Sequence, residues 1–117
     1  MNATLAFADF LRKQAKSGLS PAATAAAAML FCDGVSVAAL GAAEAAPRLL
    51  CEQATEASGA PQATPIAQGI ARLPAAAVAR INGAAMHVLD YEPMWNPANH
   101  SLSTTLPALL ALAEMRD

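Results

Sequence analysis

Charge and aromatic rings are scarce in this sequence. Of its 117 residues, 14% are Asp, Glu, Lys or Arg and 4% are Phe, Trp or Tyr, while 56% are hydrophobic. Disordered chains combine high charge with few apolar residues, so the composition excludes that class. Positive charge is especially thin. Seven Lys and Arg face nine Asp and Glu, for a formal net charge of −2, and only Arg12, Lys13 and Lys16 cluster. A nucleic-acid surface needs basic groups along a face with stacking rings among them. No nucleic-acid partner is therefore expected, and the cluster reads as the solvated side of a first helix. Cysteine is equally rare. Cys32 and Cys51 make no Cys-x-x-Cys pair and no zinc-ligand spacing. They read as buried free thiols of a reducing, cytoplasmic compartment, with a disulfide left open by spacing alone.

In excess is alanine, about a quarter of all residues. Hydrophobic stabilisation scales at about 25 cal/mol per Å² removed from water, and an alanine side chain removes little. The chain is long enough for the core of one domain but short of the large side chains that stabilise one. Alanine-faced helices suit close packing against further helices, so the composition leads us to expect part of a domain.

The segment from Pro21 to Ala46 is apolar enough to raise the question of a membrane. Its purest stretch, PAATAAAAMLFC, has the length of a signal-peptide core and comes after the basic cluster. Asp33 and Glu44 interrupt the remainder of the segment, and a charge near the centre of a spanning helix costs on the order of 3 kcal/mol. A buried helix of a soluble protein is the favoured reading, with no membrane partner; an exported or membrane-associated protein is the alternative.

The spacing of apolar residues predicts a mainly α fold. Leu5 to Lys16 is amphipathic and closes at Gly18. Ser20-Pro21 is a helix start, a capping side chain and then a residue with no N–H to lose, and opens a helix to about Ala39. A third helix is expected over 43–57. The segment 62–67, QATPIA, is the one short extended element, limited by Pro65 to an edge or a single pairing. Pro74 opens a helix with an apolar stripe of Ala77, Ile81, Ala84, Ala85 and Val88, opposite Arg80, Gly83, His87 and Asp90. Prolines 93 and 97 impose an irregular loop from Tyr91 to about Ser101. A last helix carries Leu102, Leu106, Leu109, Leu110 and Ala113 on one side, with Pro107 in its first turn.

Chemistry concentrates between Ile81 and Glu114. Gly83, His87 and Asp90 share one face at a helix end, and His100 returns ten residues after Asp90 across the loop. A carboxylate near an imidazole favours its charged form, which suits proton transfer near neutral pH. Two histidines and a carboxylate are also a metal-ligand set, although the intervening loop fixes no tetrahedral spacing.

This stretch resembles the helix–loop–helix of the MmgE/PrpD family. The residues that carry the likeness are Asn82, Gly83, His87, Asp90, Trp95, Pro97, His100, Leu106, Pro107 and Leu112-Ala113-Glu114. The family includes methylcitrate dehydratase, cis-aconitate decarboxylase and iminodisuccinate epimerase. The resemblance implies the N-terminal part of a helical domain, with a smaller lid domain and C-terminal part absent from residues 1–117. It also implies homodimers and chemistry without metal or cofactor, on small di- or tricarboxylic acids. By the same resemblance His100 and Asp90 are the catalytic pair, His100 moving the proton and Asp90 supporting it or orienting substrate. His87 and Met94 become substrate-binding positions. Met94 replaces an active-site threonine of the decarboxylase and cannot donate its hydrogen bond, and Tyr91-Glu92-Pro93 replaces a more acidic loop.

No Lys or Arg lies between Arg80 and Arg116. A polycarboxylate needs cationic partners, so the counter-charge is expected from outside this chain. The chain alone is then expected to be an inactive portion of a lyase or isomerase. The alternative is a stand-alone helical interaction module.

Overall fold

The computed structural model describes residues 2–66, 69, 71–96 and 99–117. They form five helices: α1 (Ala3–Ser17), α2 (Pro21–Gly41), α3 (Ala45–Ala57), α4 (Ala75–His87) and α5 (Ser101–Arg116). The fold is mainly α, with no strand or sheet among the described residues.

Local chemistry explains the first boundaries. The Asn2 side chain accepts hydrogen bonds from the amides of Thr4 and Leu5 at 3.0 and 3.4 Å. The Ser20 hydroxyl accepts from Ala23 at 3.2 Å, so both helices start on a capping residue. Gly18 closes α1 with φ 74°, a left-handed conformation that only glycine adopts without penalty. α3, α4 and α5 lack a local side-chain cap, and the last two are capped from a distance. Gln62 Oε1 accepts the Ala75 amide of α4 at 3.1 Å, and Glu92 Oε2 accepts the Ser103 amide of α5 at 2.7 Å.

α4 is the centre of the fold and packs against α2, α3 and α5. Ile81, Met86 and Val78 are its largest fully buried side chains. One cluster joins Val78 and Ile81 to Cys51 and Ala54 of α3, Leu73 and Ala111. A second joins Ala85 and Met86 to Ala38 of α2 and Leu102 of α5. The helices come close because small residues lie at the crossings. A Cβ on Gly41 would collide with the Ala85 carbonyl oxygen, and one on Gly83 would sit 3.0 Å from the Ser103 carbonyl oxygen.

The single pairing expected near 62–67 is present, as an antiparallel bridge between Ala63 and Leu73; Ala67 lies outside the described residues. Glu114 braces it from α5, accepting the amide and hydroxyl of Thr64 at 3.0 and 2.8 Å. Arg72 donates to the carbonyls of Gln62 and Glu114 at 2.7 and 3.2 Å.

Several expectations shift. The α4 stripe is wider than expected, since Asn82, Val78 and Met86 are buried while Val88 is exposed. A helix packed on three sides has no single inner stripe. On α5, Leu102, Ser103, Pro107 and Ala111 face inward and Leu109 is 62% exposed. Pro107 lies inside the helix rather than in its first turn; the i−4 carbonyl it leaves without a helical donor is that of Ser103, the one facing Gly83.

α2 is expected to be buried, yet only Gly34, Val37, Ala38 and Gly41 are, all in its second half. By length and composition it is long and apolar enough to cross a membrane, with 17% of its most apolar stretch buried. Cys51 is buried but Cys32 is exposed on α2; both are free thiols. α1 buries none of its residues.

Candidate functional site

The C-terminal end of α4, the loop after it and the first turn of α5 converge on one carboxylate. Glu92 is only 4% exposed. Its Oε1 lies 3.0 Å from Nδ1 of His87, the last residue of α4, and 3.0 Å from Nδ1 of His100, which precedes α5. Its Oε2 accepts the Ser103 amide. The imidazoles pack edge to face, with centroids 4.5 Å apart and an interplanar angle of 78°.

Burial alone would raise the Glu92 pKa. Hydrogen bonds from the Ser103 side chain and amide and from both histidines outweigh it and hold the carboxyl below the ordinary range. The anion also sits at the N-terminus of α5, where free amides and the helix dipole favour negative charge.

The sequence-predicted residues are partly brought together. Asp90 and His100 meet, with Asp90 Oδ1 3.5 Å from His100 Nε2. Asp90 itself lies beyond the end of α4 in a left-handed conformation, φ 57°, with its side chain 73% exposed. An aspartate tolerates that conformation better than most residues. His87 joins the cluster through Glu92 and keeps about half its side chain in solvent. Gly83 does not join it, because that glycine faces α5. Met94 is exposed on the loop, and Pro97 lies outside the described residues. Asn82 and Glu114 brace the 62–66 segment instead, Asn82 through the Ile66 amide.

Glu92 is the residue that sequence reasoning missed as a site member. The available signal was an acidic side chain in a proline-bounded loop between two histidines. Nothing local, however, distinguishes it from the exposed Asp90.

By spacing, His87, Glu92 and His100 offer three ligand atoms within 4.8 Å of one another, a His₂Glu set that a divalent metal accepts elsewhere. Here the carboxylate oxygen is already engaged by both rings, and no buried side-chain polar atom among the described residues lacks a partner. The buried part of the cluster, Glu92 and the Nδ1 atoms that face it, is joined by hydrogen bonds. Chemically it can hold a proton on an imidazole and stabilise the resulting charge from two sides.

Helices packed around α4, with a carboxylate joining two imidazoles at one end, define an all-helical domain bearing a histidine–carboxylate cluster. The chain belongs to the MmgE/PrpD family: that family's N-terminal domain matches residues 5–117. Within it the chain is similar to cis-aconitate decarboxylase of Homo sapiens, at 46% identity over 43 residues. That is 37% of this chain and 9% of the human protein. The mouse enzyme of the same name is 44% identical over 43 residues, with the same coverage. The matched stretch thus covers about a tenth of the length of these relatives. No solved structure matches.

Proposed function

We propose that the chain is the N-terminal portion of a lyase or isomerase acting on a small di- or tricarboxylic acid. The reaction is proton transfer at a carbon next to a carboxylate, coupled to dehydration, decarboxylation or epimerisation. The observation that carries this reading is His100, set with one ring nitrogen on buried Glu92 and the other beside exposed Asp90. An imidazole so placed has one ring nitrogen anchored and the other available to exchange a proton with substrate, as general acid–base catalysis requires. Because the groups paired with it among the described residues are acidic and no Lys or Arg lies between Arg80 and Arg116, the substrate's carboxylates find their partners in the rest of a longer protein. We place that protein in the cytoplasm as a homodimer, and this chain by itself without turnover. Both cysteines are free, which accords with a reducing compartment.

The names of its relatives make cis-aconitate the first substrate to assay. In the longer protein, His100→Ala should reduce turnover by about 10²–10⁴-fold with an unchanged circular dichroism spectrum. Wild-type turnover in that variant would remove the assignment. One observation favours a second reading, a helical interaction module. α1 leaves Leu5, Phe7, Phe10 and Leu11 exposed, with Phe7 and Phe10 stacked at 6.4 Å. A longer protein inert towards carboxylic acids, with α1 engaging a partner chain, would favour it.

A further inference from the structure

We propose that Glu92 is a positioning residue that holds His100 in the Nδ1–H tautomer, making Nε2 the nitrogen that exchanges a proton with substrate. This rests on the proton-transfer reading of His100.

An ionised carboxylate only accepts hydrogen bonds. Glu92 Oε1 stands 3.0 Å from Nδ1 of both His87 and His100, so each Nδ1 carries its proton. In the neutral ring the lone pair is then on Nε2. For His100 that atom is 3.5 Å from Asp90 Oδ1, too far for a good hydrogen bond and close enough to pair with an imidazolium. A proton can arrive at and leave Nε2 while the Nδ1–Glu92 bond stays made. Glu92 itself cannot swing away. Its side chain has no solvent exposure, and Oε2 is fixed at 2.7 Å by the Ser103 amide. The His87 ring packs edge to face against the His100 ring, with centroids 4.5 Å apart, and the Glu92 bond to Nδ1 does not depend on it.

The Ser103 amide makes the idea testable. In Glu92→Gln the amide oxygen must face that N–H, which turns the side-chain NH₂ towards the histidines. A donor there requires Nδ1 to accept, so the proton moves to Nε2 and the tautomer inverts. Nitrogen-15 NMR of histidine-labelled protein reads this directly, at a pH where the rings are neutral. The wild type should show His100 protonated on Nδ1, and Glu92→Gln should show it on Nε2. His87→Ala, which leaves the Glu92–His100 bond intact, should keep the wild-type form. His100 found as Nε2–H in the wild type or in His87→Ala overturns the proposal even if Glu92→Gln does not fold. An unchanged tautomer in a folded Glu92→Gln protein does so too.

In the longer protein, Glu92→Gln should lower kcat by about 10²–10⁴-fold with KM little changed, whereas an effect on KM alone would contradict a positioning role. The spectra do not depend on turnover. A His100→Ala protein that still turned over would therefore remove the proton-transfer reading and leave the tautomer assignment standing.

Discussion

Asn82 Oδ1 accepts the backbone amide of Ile66 at 2.9 Å, across a separation of sixteen residues. Asn82 is 3% exposed, so the bond ties the 62–66 segment to the middle of α4 from within the core. Asn82→Ala removes the acceptor and leaves the Ile66 amide without it, at a cost of about 1–3 kcal/mol. Urea unfolding should show that loss, with hydrogen exchange at Ile66 faster than at Ala85. An unchanged midpoint would mean that the segment is held elsewhere.

Gly41 meets the Ala85 carbonyl where α2 crosses α4, so a methyl group there must push the helices apart. Helix propensity favours alanine by about 0.5–1 kcal/mol, yet overpacking costs about 1–3 kcal/mol, and the collision is with backbone. Gly41→Ala should therefore destabilise. At Gly34 the nearest atoms are the tips of Leu106, Leu102 and Met86, at 2.9, 3.2 and 3.2 Å. Those tips can move, so Gly34→Ala should cost less. Equal losses in denaturant midpoint would contradict this account of the crossing.

The Glu92 carboxyl titrates below its ordinary value of 4.5 in the folded chain. The unfolded state then takes up its proton first as pH falls. The stability from Glu92 is fully present above the ordinary value and disappears as pH drops through the lowered one. Thermal melts of the wild type should fall across that acid window. Those of Glu92→Gln should start lower and fall less steeply; parallel curves would show that Glu92 does not carry the effect.

The helix start at Ser20-Pro21 was legible because it is set by one side chain and an amide three residues on; the Asn2 cap of α1 was not read. The α4–loop–α5 stretch was legible by motif, with Asp90 and His100 as neighbours. Leu109 and Val88 were misplaced because periodicity defines a stripe but not how many partners surround it. Glu92 escaped notice for a related reason: its burial and charge depend on Ser103 and two rings, and none of these is visible from the residues beside it. The far caps by Gln62 and Glu92 are contacts of the same kind, invisible until the helices have met.

The groups on Glu92 lie five, eight and eleven residues away in sequence. Loop-closure entropy grows with the logarithm of loop length, and contacts of short sequence separation form fast. The cluster is therefore a local object in the kinetics of folding. It can assemble as soon as α4 and α5 dock, before the α1 and α2 segments find their places. The His87–Glu92–His100 cluster is thereby contained within one pair of neighbouring helices and the loop between them, and a hairpin of these two helices is a piece that could carry it into another scaffold.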